Sequence, residues 1–130
     1  MKTLTAFAVA LALSAFTAVA SNQVPDIGHD ELKQAMKQKK VTLIDVNGSE
    51  SYAKGPIPGA IDFEANEEKL AANLPKDKGA LVVAYCGNER CKAYQRAAIK
   101  AKEIGYTNVK HYSKGIAGWK SAGEKTEPGA

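Results

Sequence analysis

Residues 80–98 read A-L-V-V-A-Y-C-G-N-E-R-C-K-A-Y-Q-R-A-A, and the change of texture along them decides the fold. Ala80 to Tyr85 is an apolar run, too short for a helix and without polar alternation, as in a strand buried on both faces. From Lys92 the chain becomes alanine-rich with scattered charge through Ala101, which predicts a helix. Between them lies a short polar loop with both cysteines of the chain, Cys86 and Cys91, and Arg90 beside the second. A cysteine where a parallel strand ends and a helix begins faces unpaired backbone N–H groups and the positive end of the helix dipole. Such a place favours thiolate and binds anions, so Cys86 is the candidate nucleophile.

Outward from this stretch, strand and helix patterns alternate. Toward the N-terminus, Val41 to Val46 is a β-branched run that reads as a second buried strand. Before it, a helix over about His29 to Lys39 places Leu32, Ala35 and Met36 at helical spacing. Gly28 stands at its N-cap, with Glu31 as half of a capping box. His29, in its first turn, reads as a solvated surface residue. After Val46, Ser49 caps a short helical piece over 50–54. The rigid turn Gly55-Pro56-Ile57-Pro58-Gly59 then leads to a strand over 60–63. Glu64 to Leu74 reads as one amphipathic helix with Leu70 and Leu74 on one side, stopped by Pro75. Toward the C-terminus, Gly105 ends the post-loop helix as its C′ residue. Residues 108–112 form the last strand, a short helix begins at Gly115, and 124–130 read as a polar tail with no packing signal. Strands alternating with helices predict an α/β domain with a mostly parallel twisted sheet and helices on both faces.

The first twenty residues belong to a different category. Lys2 precedes an apolar stretch from Leu4 to Phe16, and Ala18-Val19-Ala20 has the small-x-small form of a signal-peptidase site. The stretch is short of the roughly 20 apolar residues a membrane span needs. Cleavage after Ala20 predicts a mature single domain, residues 21–130, with its core over about 28–122, in the periplasm or secreted. Loss of Lys2 leaves 17 basic residues of the original 18 against 14 acids, a net charge of +3. No basic face interleaved with aromatics is visible, so neither nucleic acid nor, once the leader is removed, a membrane is an expected partner. No Cys, His and carboxylate cluster has metal spacing and no glycine-rich nucleotide motif occurs, so neither metal nor cofactor is expected.

Two cysteines in an exported chain suggest a disulfide. A bridge spanning five positions would constrain little of the unfolded chain, so a catalytic or redox role explains the pair better than stapling. Three roles stay open for Cys91: first-turn packing, a resolving thiol, or half of a reversible Cys86–Cys91 disulfide. Arg90 is placed for anion contact. Asp45, at a strand end, reads as a hydrogen-bond partner for nearby turns or for an arginine. Tyr85 and Trp119 read as core, and His111 as structural or exposed.

Three stretches in this order resemble a single rhodanese-like domain: L-I-D-V-N-G-S-E-S-Y-A-K-G-P-I-P-G-A-I-D-F at 43–63, V-V-A-Y-C at 82–86, and G-Y-T-N-V-K-H-Y-S-K-G-I-A-G-W at 105–119. Pro56 stands where the first signature usually has histidine, and Lys114 where the closing motif has its first glycine. Exported single-domain members of phage-shock type are the most similar in organisation. The resemblance implies a sulfurtransferase in which the Cys86 thiolate takes the outer sulfur of thiosulfate or a related anion as a persulfide. A thiol or cyanide then removes that sulfur. It also implies that backbone N–H groups of Gly87, Asn88, Glu89, Arg90 and Cys91 cradle the anion, with Arg90 pairing to its oxygens and Lys92 assisting from the first helical turn. Ala97-Ala98 fall eleven and twelve positions after Cys86 rather than ten, so the loop is expected to be about two residues longer than in the familiar form. Longer loops in this fold accompany phosphatases and arsenate reductases, but their Cys-x5-Arg spacing would require arginine at Lys92. Two further classes remain beside sulfur transfer: a thiol–disulfide protein using both cysteines, and a non-catalytic sulfur-carrying or binding module.

Overall fold

The two apolar runs become the central strands of a four-stranded, all-parallel sheet. The computed structural model describes residues 23–127; the expected leader at 1–20 lies outside the described residues, as do 128–130. Elements follow in the order α1 (His29–Lys37), β1 (Val41–Asp45), α2 (Ser49–Lys54), β2 (Ile61–Asp62), α3 (Phe63–Asn66), a 3-10 turn (Glu67–Lys69), α4 (Leu70–Asn73), β3 (Leu81–Tyr85), α5 (Tyr94–Ile104), β4 (Val109–His111) and α6 (Gly115–Ser121). The strand order is β2-β1-β3-β4. β1 and β3 pair in full register from Val41 with Leu81 to Asp45 with Tyr85, so their C-terminal ends lie side by side.

Alternation along the central strands divides the core in two. Ile44, Val82, Ala84 and Cys86 pack on one face with Phe63, Leu70 and the alanines of α5. Leu43, Val83 and Tyr85 pack on the other with Leu32 of α1, Ile57, Tyr112 and Trp119 of α6. Both faces are therefore covered by helices, which is why β1 and β3 are nearly unbroken apolar runs.

Several features differ from the sequence-based expectation. Residues 63–73 do not form one helix but two short α-turns around a 3-10 turn, with Asn66 (φ −121°, ψ 8°) and Lys69 (φ −115°, ψ 17°) at the breaks. The Asn66 amide donates back to the Asp62 carbonyl at 2.8 Å, and the segmentation lets Phe63, Leu70 and Leu74 all reach the core. Glu31 does not complete a capping box; it pairs with Lys110 on β4 at 2.8 Å. His29 is no solvated residue: its ring nitrogens contact the Tyr112 hydroxyl at 2.8 Å and Glu124 at 3.2 Å. Finally, residues 124–127 pack rather than trail. Glu124 also takes Lys33 at 2.6 Å, the Lys125 carbonyl accepts from the Trp119 indole, and the Glu127 N–H donates to Pro56. These contacts come from residues distant in sequence, and local polarity could not reveal them.

Candidate active site

The site forms at the C-terminal ends of β1 and β3, where the sheet rests on a buried polar hub. Asp45, only 2% exposed, accepts the Asn47 N–H at 2.8 Å and the Tyr85 hydroxyl at 2.7 Å. The Tyr85 oxygen in turn accepts the Ile57 N–H at 3.0 Å. Burial first, and then the facing Asp45 carboxylate, push the Tyr85 pKa up, so the hydroxyl remains a donor. One tyrosine thus joins the β1–α2 turn, the 55–59 turn and the last residue of β3. Asp45 serves the turns, and among the described residues no arginine pairs with it.

Cys86 follows Tyr85 on the opposite face. Its sulfur is bonded to that of Cys91, with Cα atoms 6.2 Å apart. Of the roles left open for Cys91, the structure shows the disulfide: Cys86 is 3% exposed and packs with Tyr94 and Ala97, and Cys91, half-buried, is the more exposed residue of the pair. A bridged sulfur neither titrates nor attacks, so nucleophilic chemistry at Cys86 requires prior reduction.

Seven residues, 87–93, separate Cys86 from Tyr94, the first residue of α5. Helix α5 therefore starts two residues later than expected, and Lys92 lies in the loop rather than in the first helical turn, exposed. The first turn of α5 is tight, with the Gln95 and Arg96 N–H groups donating to the Lys92 and Ala93 carbonyls at 3.1 Å. Tyr94 stacks on His111 with ring centroids 4.1 Å apart, which anchors the far end of the loop to β4. Asn88 braces its middle: its side-chain oxygen accepts the Arg90 N–H at 2.9 Å and its carbonyl accepts the Cys91 N–H at 3.1 Å. The cradle expected from all the amides of Gly87 to Cys91 is narrowed accordingly. The amides of Arg90 and Cys91 are spent inside the loop, as Asx-type turns do.

The near end of the loop is held by α6. The N–H groups of Ile116 and Ala117 donate to the carbonyls of Cys86 and Gly87 at 2.9 and 3.0 Å. In a trans peptide the N–H points opposite its carbonyl, so the amides of Gly87 and Asn88 are turned away from α6. Close approach of the two backbones depends on Gly115, at φ 59°. A Cβ there would lie 2.5 Å from the Cys86 carbonyl oxygen and 2.8 Å from that of Gly87. Sequence reasoning noted the Gly115 motif but not this function, nor the bracing role of Asn88. Asparagine at position i of a turn was the available signal for the second.

Between the loop and α6 lies an open pocket of about 440 Å³, walled by Asn88, Glu89 and Arg90 on one side and Lys114, Ala117 and Ser121 on the other. Arg90 and Lys114 make no ion pair with another described residue, and Glu89 is the single acid in the wall. Lys114, unassigned from sequence, thus joins Arg90 as a second cation at the loop, whereas Lys92 does not line this pocket.

Residues 28–122 match the rhodanese-like domain family, and the chain belongs to that family. It is 35% identical over 102 residues to the HTH-type transcriptional regulator Rv0324 of Mycobacterium tuberculosis, covering 77% of this chain and 43% of that protein. To the human thiosulfate:glutathione sulfurtransferase it is 26% identical over 108 residues, covering 73% of this chain and 92% of that one. The 3-mercaptopyruvate sulfotransferase SseA of Escherichia coli superposes with a TM-score of 0.66 at 21% identity, covering 83% of this chain and 52% of that one, a likeness of fold. The chain spans less than half the length of the regulator and 31% of the tRNA uridine(34) hydroxylase of Burkholderia ambifaria, to which it is 32% identical over 97 residues.

Proposed function

We propose that the protein is a sulfurtransferase that carries sulfane sulfur on Cys86. The observation that carries the reading is Cys86 at the end of the central strand of a rhodanese-like domain, followed by a loop whose first two amides are turned away from the helix that holds it. Reduction by a thiol frees the Cys86 thiolate. The thiolate attacks the outer sulfur of thiosulfate or a related anion; the S–S bond of the donor breaks, sulfite leaves with the electron pair, and Cys86 becomes a persulfide. An acceptor thiol, or cyanide in the test tube, attacks the outer sulfur and restores the thiolate. The Gly87 and Asn88 amides, on the side of the loop away from α6, stabilise the anionic sulfur, and Arg90 and Lys114, at the pocket between loop and α6, draw the anionic donor toward the loop by their charge. The protein works after export, as phage-shock-type members of the family do, because Met1 to Ala20 has the form of a cleavable leader. A mature chain beginning at Ser21, by mass, in the periplasmic or culture fraction tests this part.

Thiosulfate-dependent thiocyanate formation by the reduced protein tests the enzyme reading. Cys86→Ser is expected to abolish it, and activity retained in that variant would overturn the assignment. The bonded Cys86–Cys91 pair favours one rival, a thiol–disulfide protein. In that case the reduced chain takes up no sulfur from the donor, and either single serine variant loses all disulfide-exchange activity.

A further inference from the structure

We infer that the protein has a second activity at this site, release of sulfide from its own persulfide, with Cys91 as the resolving thiol. The inference rests on the sulfur-carrying role proposed for Cys86.

The two cysteines are held at bonding distance by more than the bond between them. Cys86 is anchored by its carbonyl to Ile116 at 2.9 Å, and Gly87 by its carbonyl to Ala117 at 3.0 Å. Cys91 is tied back by its own N–H to Asn88 at 3.1 Å, and Tyr94, three residues on, is fixed on His111. Reduction of the bond removes none of these contacts, so the Cys91 thiol stays beside Cys86. With Cα atoms 6.2 Å apart, the backbone already has the separation a disulfide needs. As a staple the bond is redundant, because both ends of the short loop are anchored without it. Its geometry instead suits an intramolecular reaction, in which a neighbouring thiol competes with acceptors that must first diffuse in.

The step balances without an outside oxidant. The Cys91 thiolate attacks the inner sulfur of the Cys86 persulfide. The Cys86–Cys91 bond forms as the bond to the outer sulfur breaks, and that sulfur leaves with the electron pair and the proton from Cys91 as hydrosulfide. The outer sulfur is reduced by two electrons and the two cysteine sulfurs are oxidised to a disulfide. A dithiol, or two equivalents of a monothiol, returns both cysteines to the thiol state and is itself oxidised. The persulfide thus has two exits. An external acceptor removes the sulfur with no change in redox state, and Cys91 releases it as sulfide and leaves the bridged form seen here.

The full chain, reduced and kept free of oxygen, is loaded with thiosulfate, freed of small molecules, and incubated without acceptor. One sulfide per chain is expected, with the intact mass falling from one added sulfur atom to two hydrogens below the reduced protein. Cys91→Ser and Cys91→Ala, two variants so that a folding defect in one is not decisive, are expected to retain the added sulfur until an external thiol is supplied. A stable sulfur adduct in the wild-type chain, with no sulfide, overturns the resolving role while leaving sulfur transfer in place. Parallel loading with inorganic polysulfide bypasses the donor site. Sulfide release after polysulfide, with no uptake from thiosulfate, supports resolution and overturns thiosulfate transfer. No adduct from either donor overturns both.

Discussion

Tyr85 and Cys86 leave β3 side by side and enter opposite halves of the core. Every polar atom around Tyr85 has a partner: the carboxylate of Asp45, the hydroxyl itself and the Ile57 N–H form one closed, buried network. One residue further on, the partners of Cys86 are a carbonyl contact from α6 and a bond to Cys91 that reduction can break. The contrast teaches how a fixed strand end can carry a breakable bond at its next residue. A saturated hub fixes the end of the strand, so the next residue can exchange bonds without the sheet moving.

Substitutions should divide along the same line. The largest effect is expected from Cys86→Ser, with complete loss of thiocyanate formation and, measured against the reduced wild type, a loss of about 1 kcal/mol in urea unfolding, the cost of a hydroxyl in an apolar cluster. A large loss of stability in that comparison would place Cys86 on the structural side. Gly115→Ala should breach the division, because α6 holds the loop. Its positive φ and the carbonyl oxygens at 2.5 and 2.8 Å leave no room for a methyl group. A loss of about 2–4 kcal/mol in denaturant unfolding is expected, together with loss of sulfur transfer.

Tyr85→Phe is the mirror of the cysteine change. It strands a buried carboxylate oxygen and the Ile57 N–H, so about 2 kcal/mol of stability should go, with the Cys86–Cys91 bond still forming in the folded protein. Failure of the bond to form on oxidation would show that the hub also shapes the loop. The smallest effect lies at Glu124, far from both residues. The Lys33 ammonium, then His29, holds this carboxyl below its ordinary 4.5. The unfolded chain therefore binds the proton more readily, and the pair's stabilisation is full above 4.5 and lost as pH falls through the lower folded value. Glu124→Gln should lower the melting temperature slightly at neutral pH, the difference closing in acid. A pH-independent difference would mean that packing, not charge, holds residues 124–127.

By itself the sequence determined the order of strands and helices, the parallel sheet and the position of Cys86 at a strand end. Those features follow from short-range texture: apolar runs, alanine-rich segments, and glycine or proline at their boundaries. Tertiary structure alone decided what surrounds the sulfur. The Asn88 brace, the grip of Ile116 and Ala117 on the loop carbonyls, Lys114 across the pocket from Arg90 and the union of Cys86 with Cys91 all depend on groups brought together by the closing of the sheet. A hydrogen bond or an S–S bond is a matter of a few ångströms in space, and spacing along the chain does not encode that distance once the backbone turns.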